Sequence, residues 1–147
     1  MEKMNFSVSI NAPKEKVWEV LWDDSSYREW TRVFHEGSHA ETDNWKEGSK
    51  VKFLSADKQE GMLSEVAANR PNEYMSFRHL GMIKNGTEDT ESDEVKKWAG
   101  SMENYTLEEN DGATSLKVDI DMPAEFKDYF DRTWPQAMDK VKLLSEN

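Results

Sequence analysis

Residues 35–39 read His35-Glu36-Gly37-Ser38-His39, the H-E-x-x-H spacing of zinc peptidases. That spacing does chemistry only on a helix, which sets the two imidazoles on one face as metal ligands, one turn apart. The glutamate between them then serves as general base toward a metal-bound water. Gly37 and Ser38 are poor residues for such a helix, the glycine alone costing about 1 kcal/mol against alanine. The stretch leads into "SHAETDNWKEGS", which reads as strand or loop, and no third ligand or substrate cleft is evident. A zinc site is therefore not expected, and the sequence asks for no metal and no cofactor.

Strand alternation supplies better candidates. In "YMSFRHLG", Met75, Phe77 and His79 share one face; in "GSMENYTL", Glu103, Tyr105 and Leu107 do so. The opposite register would gather Tyr74, Ser76 and Arg78 with Met102, Asn104 and Thr106. Phe77 and Leu107 match the apolar faces of neighbouring strands, so the first set is expected to point inward. His79, Glu103 and Tyr105 would then sit on or near a concave face, with Met62 from "GMLSEV". A buried carboxylate needs a partner, which an imidazole or a phenol can provide. Such a trio can anchor a polar group of a ligand, or perform acid–base work of cyclase or dehydratase type. It can also be a polar cluster that satisfies itself in the core, or one whose Glu103 reaches solvent at the sheet rim. No linear Ser/His/Asp spacing, phosphate loop or dinucleotide fingerprint accompanies it. Trp30, Phe34, Trp98, Phe126, Phe130 and Trp134 are the ring-bearing candidates to line a cavity, although for any one of them core packing is the default.

The elements that must position these residues follow from periodicity. "MNFSVSINAP" alternates, with Phe6, Val8 and Ile10 on one side, as a half-buried strand does. Asn11-Ala12-Pro13 opens a short helix carrying Val17, Trp18 and Leu21, and "DDSSYREW" starts a second with Tyr27 and Trp30 inward. Strand-like runs follow at "SKVKFLSA", "EGMLSEVAANRP" and "NEYMSFRHLG". "GSMENYTLEENDGATSLKVDIDM" is a hairpin turning at Asn110-Asp111-Gly112. Residues 85–97, "NGTEDTESDEVKK", are acidic and lack a strand period, so an exposed loop with a short helix before Trp98 is expected. The last two dozen residues keep helical spacing through Phe126, Phe130, Trp134, Met138 (or Ala137), Val141 and Leu144 (or Leu143). This final amphipathic helix is the only element long enough to cover the apolar face of a curved antiparallel sheet. Pro135 lies within it, removes one backbone donor and should bend it.

Composition bounds the function. The 147 residues are the size of one domain and carry 30 acidic against 19 basic residues, a formal charge of -11. With no Lys/Arg stripe, nucleic acid and anionic membranes are not expected partners. Zero cysteines exclude disulfides and thiolate chemistry and suit a reducing cytoplasm. No apolar stretch suggests a signal peptide or a membrane span. Only 36% of residues are hydrophobic, yet six are Trp, six Phe, four Tyr and eight Met, which fits a core or cavity built from few, bulky side chains.

Several segments together resemble a known family. "INAPKEKVWEVLWD", "YREWT", "WKEGSKVKF", "PNEYMSFRHLG", "WAGSMENYTL", "DGATSLKVDID" and "FKDYFDRTWPQAMDKVKLLSE" are similar to the SRPBCC (START/pollen-allergen-like) superfamily. More narrowly, they resemble bacterial homologues of the activator of heat-shock-protein ATPase. The resemblance implies one α+β domain over residues 1–147 with a helix-grip fold. A curved seven-stranded antiparallel sheet would wrap around the long C-terminal helix, with two short helices after the first strand and a cavity between sheet and helix. The expected function is noncatalytic binding of a small hydrophobic or aromatic ligand. Its expected contacts are Trp30, Phe34, Met62, Met75, Phe77, His79, Trp98, Glu103, Tyr105, Phe126, Phe130 and Trp134. Two alternatives stand beside it: an aromatase/cyclase-like enzyme using His79, Glu103 and Tyr105, and a co-chaperone-like module meeting a protein partner.

Overall fold

A computed structural model describes residues 1–147. The first strand, β1 (Glu2–Ile10), buries Met4 and Ile10, half-buries Phe6 and Val8, and exposes the residues between, as its alternation requires. Pro13 caps α1 (Lys14–Trp22), its extended backbone lending itself to that position without an N–H to satisfy. After Asp23 comes α2 (Asp24–Trp30), continued by a single 3-10 turn over Thr31–Val33. These two helices are fixed from within: the Trp30 indole donates to the Leu21 carbonyl (3.2 Å), and the Thr31 hydroxyl donates to that of Tyr27 (2.7 Å).

The sheet is antiparallel throughout. Its remaining strands are β2 (His39–Glu41), β3 (Lys50–Leu54), β4 (Glu60–Arg70), β5 (Tyr74–Lys84), β6 (Thr87–Asp89), β7 (Met102–Asn110) and β8 (Ala113–Met122). Seven of them form one path in the order β1-β8-β7-β5-β4-β3-β2. The eighth, β6, pairs beside that path with the end of β5 and was not expected from the sequence. It belongs to the acidic 85–97 segment, which also holds the short helix α3 (Asp93–Lys96), capped by the Ser92 hydroxyl. That segment is less exposed than its composition suggests, because Val95 is fully buried.

The β7–β8 hairpin turns at Asp111-Gly112, both with positive φ (52° and 82°). Those angles suit the twist of the flanking strands and favour a residue pair of this kind. Between Leu63/Ser64 and their partners the β4–β5 register shifts. Leu63 faces Gly81 while Ser64 faces His79, so Leu80 is the extra residue of a bulge.

The long helix α4 (Lys127–Glu146) follows a 3-10 turn at Ala124–Phe126 and runs through Pro135. It lays Trp134, Ala137, Met138 and Val141 onto the core, and Trp134 stacks on Phe6 of β1 at 5.8 Å between ring centroids. This is the helix-grip arrangement, an α+β fold whose sheet curls about its last helix, with the two short helices directly after β1.

Candidate ligand-binding site

Direct pairing of neighbouring strands builds the polar centre. Phe77 of β5 faces Glu103 of β7, Met75 faces Tyr105, and Ser64 of β4 faces His79. Residues in such cross-strand pairs share a sheet face and touch. The result is a chain of four side chains. The Ser64 hydroxyl lies 2.7 Å from His79 Nδ1, and His79 Nε2 lies 3.3 Å from Glu103 Oε1. The Tyr105 hydroxyl donates to Glu103 Oε2 at 2.5 Å. The register expected from alternation is the observed one: Met75, Phe77 and His79 are buried while Arg78 is exposed and pairs with Glu65 on the other face.

The order hydroxyl–imidazole–carboxylate resembles that of a hydrolase, although no linear motif announces it. The geometry excludes that use. Ser64 is 0% exposed and lies behind the imidazole, away from any substrate. Its contact instead fixes the ring, leaving Nε2 turned to Glu103. Glu103 keeps 21% of its side chain exposed against 11% for His79, so it is the more open of that pair.

That space is a recess of about 770 Å³ between the sheet and the start of α4, lined by 26 residues of which 15 are hydrophobic. Ten of the twelve expected contacts line it. His79, Glu103 and Tyr105 stand on the sheet side with Met62. Trp30 and Phe34 approach from α2 and the turn after it, Trp98 from the end of the acidic segment, and Phe126, Phe130 and Trp134 from the α4 end. Phe126 lies in the 3-10 turn ahead of the helix and is 46% exposed, so it belongs to the rim. The other two expected contacts do not reach the recess. Met75 and Phe77 point inward but are sealed, Phe77 lying edge-on to Trp22 (5.5 Å) and Phe53 (5.2 Å).

Alternation alone missed Tyr27 and Met82, which also line the recess. The Leu80 bulge reverses the parity of β5, so Met82 faces Met62 across the strands on the concave side. Burial is the main cause that holds the Tyr27 and Tyr105 hydroxyls protonated well above the usual phenol range, and the Glu103 charge adds to it. The Trp134 indole N–H is buried without a protein acceptor.

The H-E-x-x-H stretch is built quite differently. His35 follows the 3-10 turn, Gly37 takes φ 82° and His39 opens β2. Each Nδ1 sits near a local carbonyl, that of Glu36 for His35 (2.9 Å) and of Gly37 for His39 (3.0 Å). Nowhere are three His, Asp or Glu side chains gathered in an arrangement that could hold a metal ion.

No family model matches the chain, and no curated protein matches it. Solved structures do resemble it. DynU16, a protein of the dynemicin biosynthetic locus, superposes with a TM-score of 0.71 at 19% identity over 97% of this chain, which spans 46% of DynU16. The Aha1 dimer of Colwellia psychrerythraea gives 0.72 at 18% identity, covering 99% of this chain and 97% of the other. CalU16 of Micromonospora echinospora gives 0.66 at 14% identity, covering 97% and 75%. At such identities the likeness establishes the fold. The chain shares the helix-grip fold of these structures. No helix is long and apolar enough to cross a membrane.

Proposed function

We propose that the recess binds one small hydrophobic or aromatic molecule without transforming it, and that Glu103 anchors a hydrogen-bond donor of that molecule. One observation carries this reading: an aromatic-walled recess of about 770 Å³ has on its sheet side a partly open carboxylate, Glu103, already in contact with His79 and Tyr105. Sites for small molecules have this size and this mixture of apolar wall with a few placed polar groups. The test compares naphthol with naphthalene. Naphthol should bind more tightly by about tenfold or more, the worth of one hydrogen bond to a charged acceptor. The preference should shrink in Glu103→Gln, which keeps only a neutral acceptor, and vanish in Glu103→Leu, whereas equal affinities in the unmodified protein would defeat the anchor.

A second reading is acid–base chemistry of aromatase/cyclase type. The His79–Glu103 contact at 3.3 Å favours it, as does the likeness to a protein of a biosynthetic locus. Turnover of a polyketide-like substrate, lost in Glu103→Gln while binding persists, would support it over simple binding.

A further inference from the structure

A second cavity, of about 640 Å³, lies where α1 and α2 meet β2 and the loop after it. We propose that it is a site for a small organic cation of the quaternary-ammonium class. Its wall is aromatic. Trp22 and Tyr27 are almost fully buried and form the floor, while Trp18 and Trp45 are half-buried at the sides. Trp22 meets Trp18 edge-on at 6.0 Å and leans on Trp45 at 5.2 Å. Aromatic faces attract a cation within about 6 Å of their centroids, and tryptophan does so best.

The charge around the rings has one sign. Glu19, Asp23, Asp24 and Glu41 line the cavity, and no lysine, arginine or histidine does. Two of these carboxylates are already paired from outside, Asp24 with Arg28 (3.0 Å) and Glu41 with Lys58 (2.9 Å). Glu19 has no ion-pair partner, and the Asp23 carboxylate accepts only from the Ser25 hydroxyl at 3.2 Å. The excess negative charge therefore acts on whatever enters. A divalent metal is the wrong occupant, because no three carboxylates converge to ligate it. A methylated ammonium needs no convergent acceptors, only aromatic faces and a negative field.

The fold constrains the backbone at Trp45. Its backbone takes φ 60°, a region that bulky side chains rarely adopt, and Asn69 Nδ2 pins its carbonyl at 2.8 Å. The fold thus holds a costly backbone conformation at the residue that supplies one side of the cage, as functional sites often do.

The test is a titration of the full chain with choline and, separately, with its neutral tert-butyl isostere, in which carbon replaces the ammonium nitrogen. Indole N–H resonances report the site. Choline is expected to bind saturably, to shift the signals of Trp18, Trp22 and Trp45, and to exceed the isostere by about tenfold. Trp18→Ala, on the half-exposed side of α1, should remove most of the affinity. The paired change Glu19→Gln/Asp23→Asn should weaken choline alone and leave the isostere unchanged. Saturating the larger recess with naphthalene should not compete, which separates this site from that one. Equal responses to the two compounds, absence of saturation by choline, or choline affinity unaltered in Trp18→Ala would each overturn the proposal.

Discussion

Replacing Glu103 by leucine probes the polar chain most directly. In the native protein this carboxylate accepts from the Tyr105 hydroxyl at 2.5 Å and faces His79 Nε2 at 3.3 Å. Tyr105 is 2% exposed and His79 9%, so neither partner finds ready solvent when the carboxylate goes. A buried polar group left without its partner costs about 1–3 kcal/mol. The recess admits some water to both groups, which places Glu103→Leu toward the low end, at about 2–3 kcal/mol for the two together. Glu103→Gln keeps an acceptor and loses only the charge assistance, about 1 kcal/mol. At this chain length each kcal/mol moves Tm by roughly 2–4 °C, so the leucine variant should melt about 4–12 °C lower. Urea unfolding at neutral pH, followed by circular dichroism, gives the free energies. The decisive quantity is the coupling in a double-mutant cycle. Once Glu103 is leucine, Tyr105→Phe should cost less than it does in the native background, because the hydroxyl it removes is already orphaned. Strict additivity, or a leucine variant as stable as the parent, would refute the chain.

Other expectations follow from single contacts. Tyr27 and Tyr105 ionise above their ordinary value of 10.0 when folded, so above that pH the unfolded chain carries fewer protons. Stability should fall there by about 1.4 kcal/mol per pH unit for each tyrosine, and Tyr27→Phe/Tyr105→Phe should flatten the slope in alkaline denaturation series. Ser64→Ala removes the 2.7 Å contact to His79 Nδ1 and should lower the unfolding free energy by about 1–2 kcal/mol in urea. A Cβ at position 61 would fall 2.2 Å from the Phe53 carbonyl oxygen, so Gly61→Ala should destabilise by about 1–3 kcal/mol or more, seen as a lower urea midpoint.

Much of the architecture was legible because it rests on period and punctuation. Phe6, Val8 and Ile10 alternate, Asp111-Gly112 demands its hairpin, and the stripe from Phe130 to Val141 has one helical face. The same period-two reasoning placed His79, Glu103 and Tyr105 together. What escaped it depended on pairing between strands distant in sequence. Ser64 reaches His79 only because β4 and β5 are in that register, and the bulge at Leu80 turned Met82 inward against simple alternation. Periodicity also tells the direction of a side chain and not what lies over it. Phe77 points to the concave side as expected but sits beneath Trp22, so it packs the core and does not line the recess. The acidic 85–97 stretch hid a buried Val95 because one apolar residue leaves no period to read.

Whether the recess takes an apolar guest is settled most directly by titrating the protein with Nile red, a neutral dye that brightens on leaving water. Phe130 lines the recess from the first turn of α4, where it is half-buried. The expected result is saturable binding of one dye molecule per chain, with quenching of tryptophan emission, displaced by naphthol. In Phe130→Arg, shown by circular dichroism to be folded, an arginine in that wall should weaken dye binding by at least about tenfold through lost apolar contact and a charge to desolvate. Phe130→Leu should retain it. Failure of the dye to saturate, or equal binding by a folded Phe130→Arg protein, would contradict the assignment of the recess as the binding site.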